Sequence, residues 1–246
     1  MAHWATSFYD FQDSLIHCYS DPIHPFHHER AAEVRAGFGG KTLLELGSGG
    51  GQWAVAAALA GYDVTALEYR EAGTAQAGKF AAEHGVSVRA LTGDFYHADP
   101  GGPFDLVCYW DGFGIGTDDE QRALLGRVPG WLNPDGRALI EVYMPYYWAK
   151  HAGFTRQATN YTQTYGFDAG GCRFTDTYHA GNGSRTQSLR CYTPADLRLL
   201  LQGTGLTLLD SIPGGQYDTD TQTWHPRVSL AECMNWVAVL GREHSI

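Results

Sequence analysis

Thr42-Leu43-Leu44-Glu45-Leu46-Gly47-Ser48-Gly49-Gly50-Gly51 decides the fold of this chain. Its apolar half has the length and continuity of a strand buried on both faces of a parallel sheet. The run ends in a carboxylate and a glycine-rich turn, where the backbone can let another group approach closely. Gln52-Trp53-Ala54-Val55-Ala56-Ala57-Ala58-Leu59-Ala60 follows, rich in strong helix formers. Strand, turn and helix N-terminus together gather backbone N–H groups around one point, an arrangement that receives a polar ligand.

Outward from this point, strand and helix signals alternate in the βαβ manner. Strand two is expected over 63–67 with Glu68 at its end, a helix over 70–84, strand three over 86–91 and strand four over 104–109. A helix over 118–132, a turn at Asn133-Pro134-Asp135-Gly136 and strand five over 137–143 complete this half. Upstream, 1–40 reads as a helical cap: one helix with a stripe of Phe8, Phe11, Leu15 and Ile16, and a second opened by His24-Pro25. Downstream, 145–192 is rich in Thr, Tyr, Gly and Arg and reads as an antiparallel β insert, with strands around 154–165, 172–179 and 185–192. The core then resumes over 193–246 with a helix at 195–201 and strands six and seven at 206–212 and 236–240. Residues 218–232 read as a surface loop whose Trp224 and His225 fold over a site. The expected architecture is one α/β domain: a seven-stranded, mostly parallel, Rossmann-like sheet flanked by helices, with the cap at one end and the insert after strand five.

Composition narrows the function. Of 246 residues, 43% are hydrophobic and 18% charged, as in globular proteins. Twenty-seven acidic residues against seventeen scattered basic ones give a net charge of -10, which argues against a nucleic-acid partner. Five dispersed cysteines without a Cys-x-x-Cys pair suit free thiols in a reducing compartment. The opening residues lack the basic head and apolar core of a signal peptide, and no window reaches the roughly 20 apolar residues of a bilayer span. A cytoplasmic protein away from membranes, monomeric or homodimeric, is expected.

The spacing Glu-x-Gly-x-Gly-x-Gly resembles the first motif of class I S-adenosylmethionine-dependent methyltransferases. A nicotinamide site would more typically show Gly-x-Gly-x-x-Gly, and Gln52 stands at its last glycine position. Later motifs follow in order at strand ends. Glu68, some twenty residues on, suits ribose hydroxyls. Gly93-Asp94-Phe95 matches the adenine position, and Trp110-Asp111-Gly112-Phe113 stands where strand four meets the reacting groups. The resemblance, which covers the core over 41–144, implies S-adenosylmethionine as cofactor and S-adenosylhomocysteine as product. Its implied contacts are Glu45, Gly47, Ser48, Gly49, Gly51, Glu68, Tyr69, Asp94, Phe95 and Trp110, with Tyr9 and Tyr19 closing from the cap. Asn/Asp-Pro-Pro-Tyr, the mark of many enzymes that methylate amide or exocyclic nitrogens, is absent after strand four.

Methyl transfer asks mainly for alignment and desolvation, and for a base only where the acceptor must lose a proton. Asp111 is the first candidate, as base or orienting group, or else as a turn-capping aspartate. His24 and His28 fall on one helix face with His27 beside them, as proton acceptors or as surface histidines. No third or fourth ligand is spaced to make them a metal site. Tyr143, Tyr146, Tyr178, Arg190 and His27 are candidates for holding the acceptor. Fourteen Tyr and seven Trp suit a flat pocket as well as strand packing. The expected acceptor is a small aromatic or heteroaromatic molecule of secondary metabolism, such as an indole. The alternatives are a nicotinamide-dependent oxidoreductase and a non-catalytic S-adenosylmethionine-binding regulator.

Overall fold

The computed structural model describes residues 5–243; residues 1–4, on which part of the expected cap and the reading of the amino terminus fall, lie outside them. Two helices come first, α1 (Ala5–Ile16), which buries Phe8 and Phe11, and α2 (Pro25–Phe38), with proline in its first turn. The core then runs β1 (Thr42–Leu46), α3 (Gln52–Leu59), β2 (Asp63–Glu68), α4 (Glu71–Glu83), β3 (Val88–Thr92) and β4 (Phe104–Tyr109). Next come α5 (Asp118–Trp131), capped by the Thr117 hydroxyl on the Glu120 amide, and β5 (Leu132–Tyr143). The insert holds α6 (Pro145–Lys150), β6 (Thr155–Gln157), β7 (Thr162–Asp168), β8 (Arg173–Ala180) and β9 (Gly183–Arg190). The chain ends through α7 (Pro194–Leu200), β10 (Leu206–Pro213), β11 (Gln216–Asp218), β12 (Thr223–His225) and β13 (Asn235–Arg242).

Seven strands form the main sheet in the order β3-β2-β1-β4-β5-β13-β10, parallel except for β13, which runs antiparallel to both neighbours. The order reverses at β1, between β2 and β4, so a crevice opens there beyond the carboxyl ends of the strands. Both faces are covered, which is why β1 carries leucines at 43, 44 and 46, all buried. Leu44 and Leu46 pack with Val107, Leu124 and Val128 on one side, and Leu43 packs with Trp53, Ala57 and Leu106 on the other.

Four local expectations are corrected. The segment after β5 begins as a helix, α6, which buries Tyr147 and Trp148 against the β insert. The stretch around 154–165 is two strands, joined where the Ala158 amide donates to the Tyr161 carbonyl, so the insert sheet has four strands. Asn133-Pro134-Asp135-Gly136 is a bulge inside β5: Leu132 pairs with Phe104 and Arg137 with Leu106, and Asn133 Nδ2 donates to Asp105 Oδ1 at 2.7 Å. The 218–232 loop carries half of a hairpin, β11–β12, tied to α6 by the Tyr147 hydroxyl on the Tyr217 carbonyl at 3.0 Å. Its Trp224 and His225 are exposed and lie outside the cleft described next. No described helix is long and apolar enough to cross a membrane.

Candidate active site

The glycine turn after β1 is shaped by what presses on it. Gly47 and Gly49 hold positive φ (62° and 56°), which side-chain-bearing residues rarely adopt. A Cβ on Gly50 would collide with the Tyr19 carbonyl oxygen, and one on Gly51 would meet Ala77 of α4. Gly51 therefore serves helix packing and is absent from the cleft lining. Glu68, at the end of β2, accepts from the Gly49 amide at 2.9 Å and the Arg70 amide at 3.0 Å. Burial raises its carboxyl, and those N–H donors pull it back down. Glu45 is 4% exposed, and its Oε2 has no partner. Burial and the charge of Glu68 push its carboxyl well up.

The chain between α1 and α2 crosses this turn as a strap. Tyr19 lays its ring against Gly49, and Gln52 Nε2 donates to the carbonyls of Cys18 (2.8 Å) and Asp21 (3.2 Å). Arg70 stacks on Tyr19 at 4.3 Å and pairs with Asp10 (2.9 Å) and Asp13 (3.7 Å) of α1. The cap is thus fastened to the end of β2.

Asp111, just past β4, is left-handed (φ 52°), a strained state for a residue with a side chain. Its amide donates to Glu141 Oε2 at 3.0 Å, and the Tyr143 hydroxyl donates to its Oδ1. Glu141 Oε1 pairs with Arg30 of α2 at 3.0 Å, and Arg30 lies over the Trp110 ring at 4.9 Å. Trp110 in turn meets Trp53 edge-on at 5.0 Å. Asp111 lies deep among protein atoms, yet its exposed surface opens into the cleft. Its carboxyl is pushed up to about 6, first by burial and then by Glu141, against the pull of the Tyr143 hydrogen bond and Arg30.

These parts line one cleft of about 480 Å³. It brings together Tyr9, Tyr19, His24, His27, Glu45, Gly47, Ser48, Gly49, Glu68, Tyr69, Phe95, Trp110 and Asp111. The other sequence candidates lie outside the lining. Asp94 accepts from the Tyr96 amide at 3.0 Å, His28 is exposed on α2, and Tyr146 is 60% exposed. Tyr143 reaches the site only through Asp111. Tyr178 is buried in the insert, where its oxygen accepts from Gln12 (3.3 Å) and Gln163 (3.1 Å). Arg190 is pinned by Asp118 at 3.2 Å and stacks on Tyr192. His24 and His27 flank an exposed Phe26 at the mouth. His27 Nδ1 accepts from the His24 amide, and burial lowers its imidazole to about 4, so it stays neutral near pH 7. No described group of three or more His, Cys, Asp or Glu is arranged to hold a metal.

Arg30, Trp53, Arg70 and Glu141 also build the site, though they were not among the residues expected from sequence. Trp53 and Arg70 directly follow motif residues, and that position was their signal. Glu141, a charge inside the apolar run of β5, was also visible. Arg30 carried none, because it meets Glu141 from 111 residues away.

Among the described residues, Glu45 Oε2, Ser48 Oγ, Trp53 Nε1, Arg70 NH1 and Trp110 Nε1 are buried side-chain polar atoms without a partner. All five residues line the cleft. Buried polar groups in folded proteins are otherwise nearly all paired.

Comparison with known proteins bears on this cleft. Residues 43–136 match the family model described as a methyltransferase domain. A ubiquinone biosynthesis O-methyltransferase of Caulobacter vibrioides is 38% identical over 81 residues, a match spanning 32% of either chain. The fold is shared with the CcbJ methyltransferase from Streptomyces caelestis (TM-score 0.72, 21% identity, 92% of this chain and 98% of that one). It is shared as well with an S-adenosylmethionine-dependent methyltransferase from Clostridium acetobutylicum (TM-score 0.73, 15% identity, 98% and 99%). The matched segment opens in β1 and takes in the glycine turn, Glu68 and Asp111, so residues 43–136 are similar to a methyltransferase domain, set in the fold of solved S-adenosylmethionine-dependent methyltransferases.

Proposed function

We propose that this protein transfers a methyl group to a small aromatic or heteroaromatic acceptor, such as an indole or another amino-acid-derived natural product, with Asp111 receiving the acceptor's proton. The observation that carries this proposal is the convergence of unpartnered buried polar atoms on one cleft, at the point where the strand order reverses. Three are N–H donors, one is a hydroxyl and one a carboxyl oxygen, a mixture suited to a ligand joining a nucleoside to an amino acid.

S-adenosylmethionine, when bound, supplies the electrophilic methyl group. Glu68 offers a carboxylate for ribose hydroxyls, and Phe95 and Tyr69 offer ring faces for the base. Glu45, Ser48, Arg70, Trp53 and Trp110 offer the remaining polar contacts. The strap and Tyr9 exclude water, which strengthens every electrostatic contact inside. Tyr143 holds the Asp111 carboxyl on one oxygen. With its ionisation near 6, Asp111 is a carboxylate at neutral pH and a far better proton acceptor than an ordinary surface aspartate. The cleft's 480 Å³ lie within the ~300–1,000 Å³ typical of small-molecule sites.

Calorimetric titration with S-adenosylhomocysteine, with NADH as control, tests the cofactor half. Binding near micromolar, about -8 kcal/mol, is expected for the first and none for the second; tighter NADH binding would restore the oxidoreductase alternative. A panel of indoles, phenols and aliphatic amines, read by mass spectrometry for a gained methyl, tests the acceptor half. Turnover of aliphatic amines alone would overturn the aromatic assignment, and cofactor binding without any turnover would favour a regulator.

A further inference from the structure

We propose that Glu141 and Arg30 form a positioning pair for Asp111, holding its main chain in the left-handed state and its carboxyl turned to the cleft. The inference rests on Asp111 as the proton acceptor. Glu141 spends both oxygens here: Oε2 on the Asp111 amide at 3.0 Å, Oε1 on Arg30 at 3.0 Å. It is 4% exposed and stands between Ile140 and Val142 in a central strand, where a lone charge is costly and an apolar side chain would pack more cheaply. What the charge provides at that position is an acceptor for the amide of a strained residue. Arg30 comes from α2, so the cap itself balances the charge behind Asp111.

The groups around Asp111 are Glu141 and Tyr143 of β5, Tyr109 of β4, Tyr9 of α1, Arg30 of α2, Tyr165 of β7 and Asp176 of β8. Arg30 is the cation among them. Burial keeps the four tyrosines neutral by raising their hydroxyls above the usual range. Removing the negative member of the pair and removing the positive member must therefore move Asp111 in opposite directions, which a purely space-filling pair would not do.

The test is carbon-13 NMR of protein labelled at the aspartate carboxyl carbons, with Asp111 identified by the signal lost in D111N. The wild-type midpoint is expected at about 6. In E141Q, which keeps an oxygen for the amide but removes the charge, it falls by at least about half a pH unit; in R30Q it rises by a similar amount. Midpoints that stay together in all three proteins, or that move the same way in both variants, would overturn the pair. If E141Q does not fold, R30Q, at a partly exposed position, decides alone; S-adenosylhomocysteine titration reports the integrity of each variant. The base assignment fails separately, by methyl transfer that survives in D111N while the midpoints still diverge.

Discussion

Asp111 and Asp176 are two aspartates with the same displacement, each carboxyl pushed up to about 6, yet only Asp176 is closed off from solvent, and their surroundings are opposite. Asp176 sits on β8 within the insert, 4% exposed. Gln163 Nε2 reaches both its oxygens (3.0 and 3.1 Å), and Gln187 Nε2 reaches Oδ2 at 3.2 Å. Its neighbours saturate it, and it has no face on the cleft. Asp111 takes one side-chain donor, sits on strained backbone and opens into a cavity lined by unpaired donors and acceptors. A displaced ionisation alone does not locate a reactive site. Displacement together with unspent hydrogen-bonding capacity does.

The sharpest way to break this contrast is the pair of amide variants. Asp111→Asn is expected to lower turnover on an accepted substrate by about 10²–10⁴-fold, with S-adenosylhomocysteine affinity held within about twofold by calorimetry; undiminished turnover would refute its role. Asp176→Asn places an NH₂ against two amide donors and is expected to cost about 1–3 kcal/mol in urea unfolding at pH 7, with turnover per folded molecule retained.

The same pair carries a pH signature. Asp176 titrates higher folded than unfolded, so its stabilising share is complete below pH ~4 and is lost as pH rises through ~6. The unfolding free-energy gap between wild type and Asp176→Asn should therefore shrink by roughly 2 kcal/mol between pH 4.5 and 7. A flat gap would mean that the three amide contacts already offset burial. Glu68→Gln is expected to weaken S-adenosylhomocysteine about tenfold through loss of a charged acceptor. Tyr146→Ala, at a surface position, should change stability by less than about 0.5 kcal/mol and leave the acceptor KM unmoved. A tenfold rise in that KM would return Tyr146 to the site.

The half of the molecule that was legible in sequence is the half written in local signals. The run from Thr42 to Leu46, its glycine turn and Glu68 follow from strand length, glycine spacing and strand-end position, and each of Glu45, Gly47, Ser48, Gly49 and Glu68 lines the cleft. The insert was legible as β structure but not as scenery. Alternation says that Asp176 and Tyr178 share a face, and nothing local says that α1 covers it. Tyr178 and Arg190, proposed on composition, are committed instead to Gln12 and Gln163 and to Asp118. Arg30 was hidden for the converse reason: on α2 it reads as one more solvated cation, and its meaning comes from Glu141, far along the chain. Pro145 was a usable helix signal in its own right, overridden by the threonine- and tyrosine-rich sequence beyond it.

The strap across the glycine turn is fastened through its main chain. Gly50 and the Tyr19 carbonyl are packed main chain against main chain, and Gln52 and Arg70 bolt the crossing from either side. A molecule seated beneath it cannot depart by rotating a side chain out of its way; a stretch of polypeptide has to lift. Anything held under that crossing would leave through movement of the main chain between α1 and α2, not through a change of one rotamer.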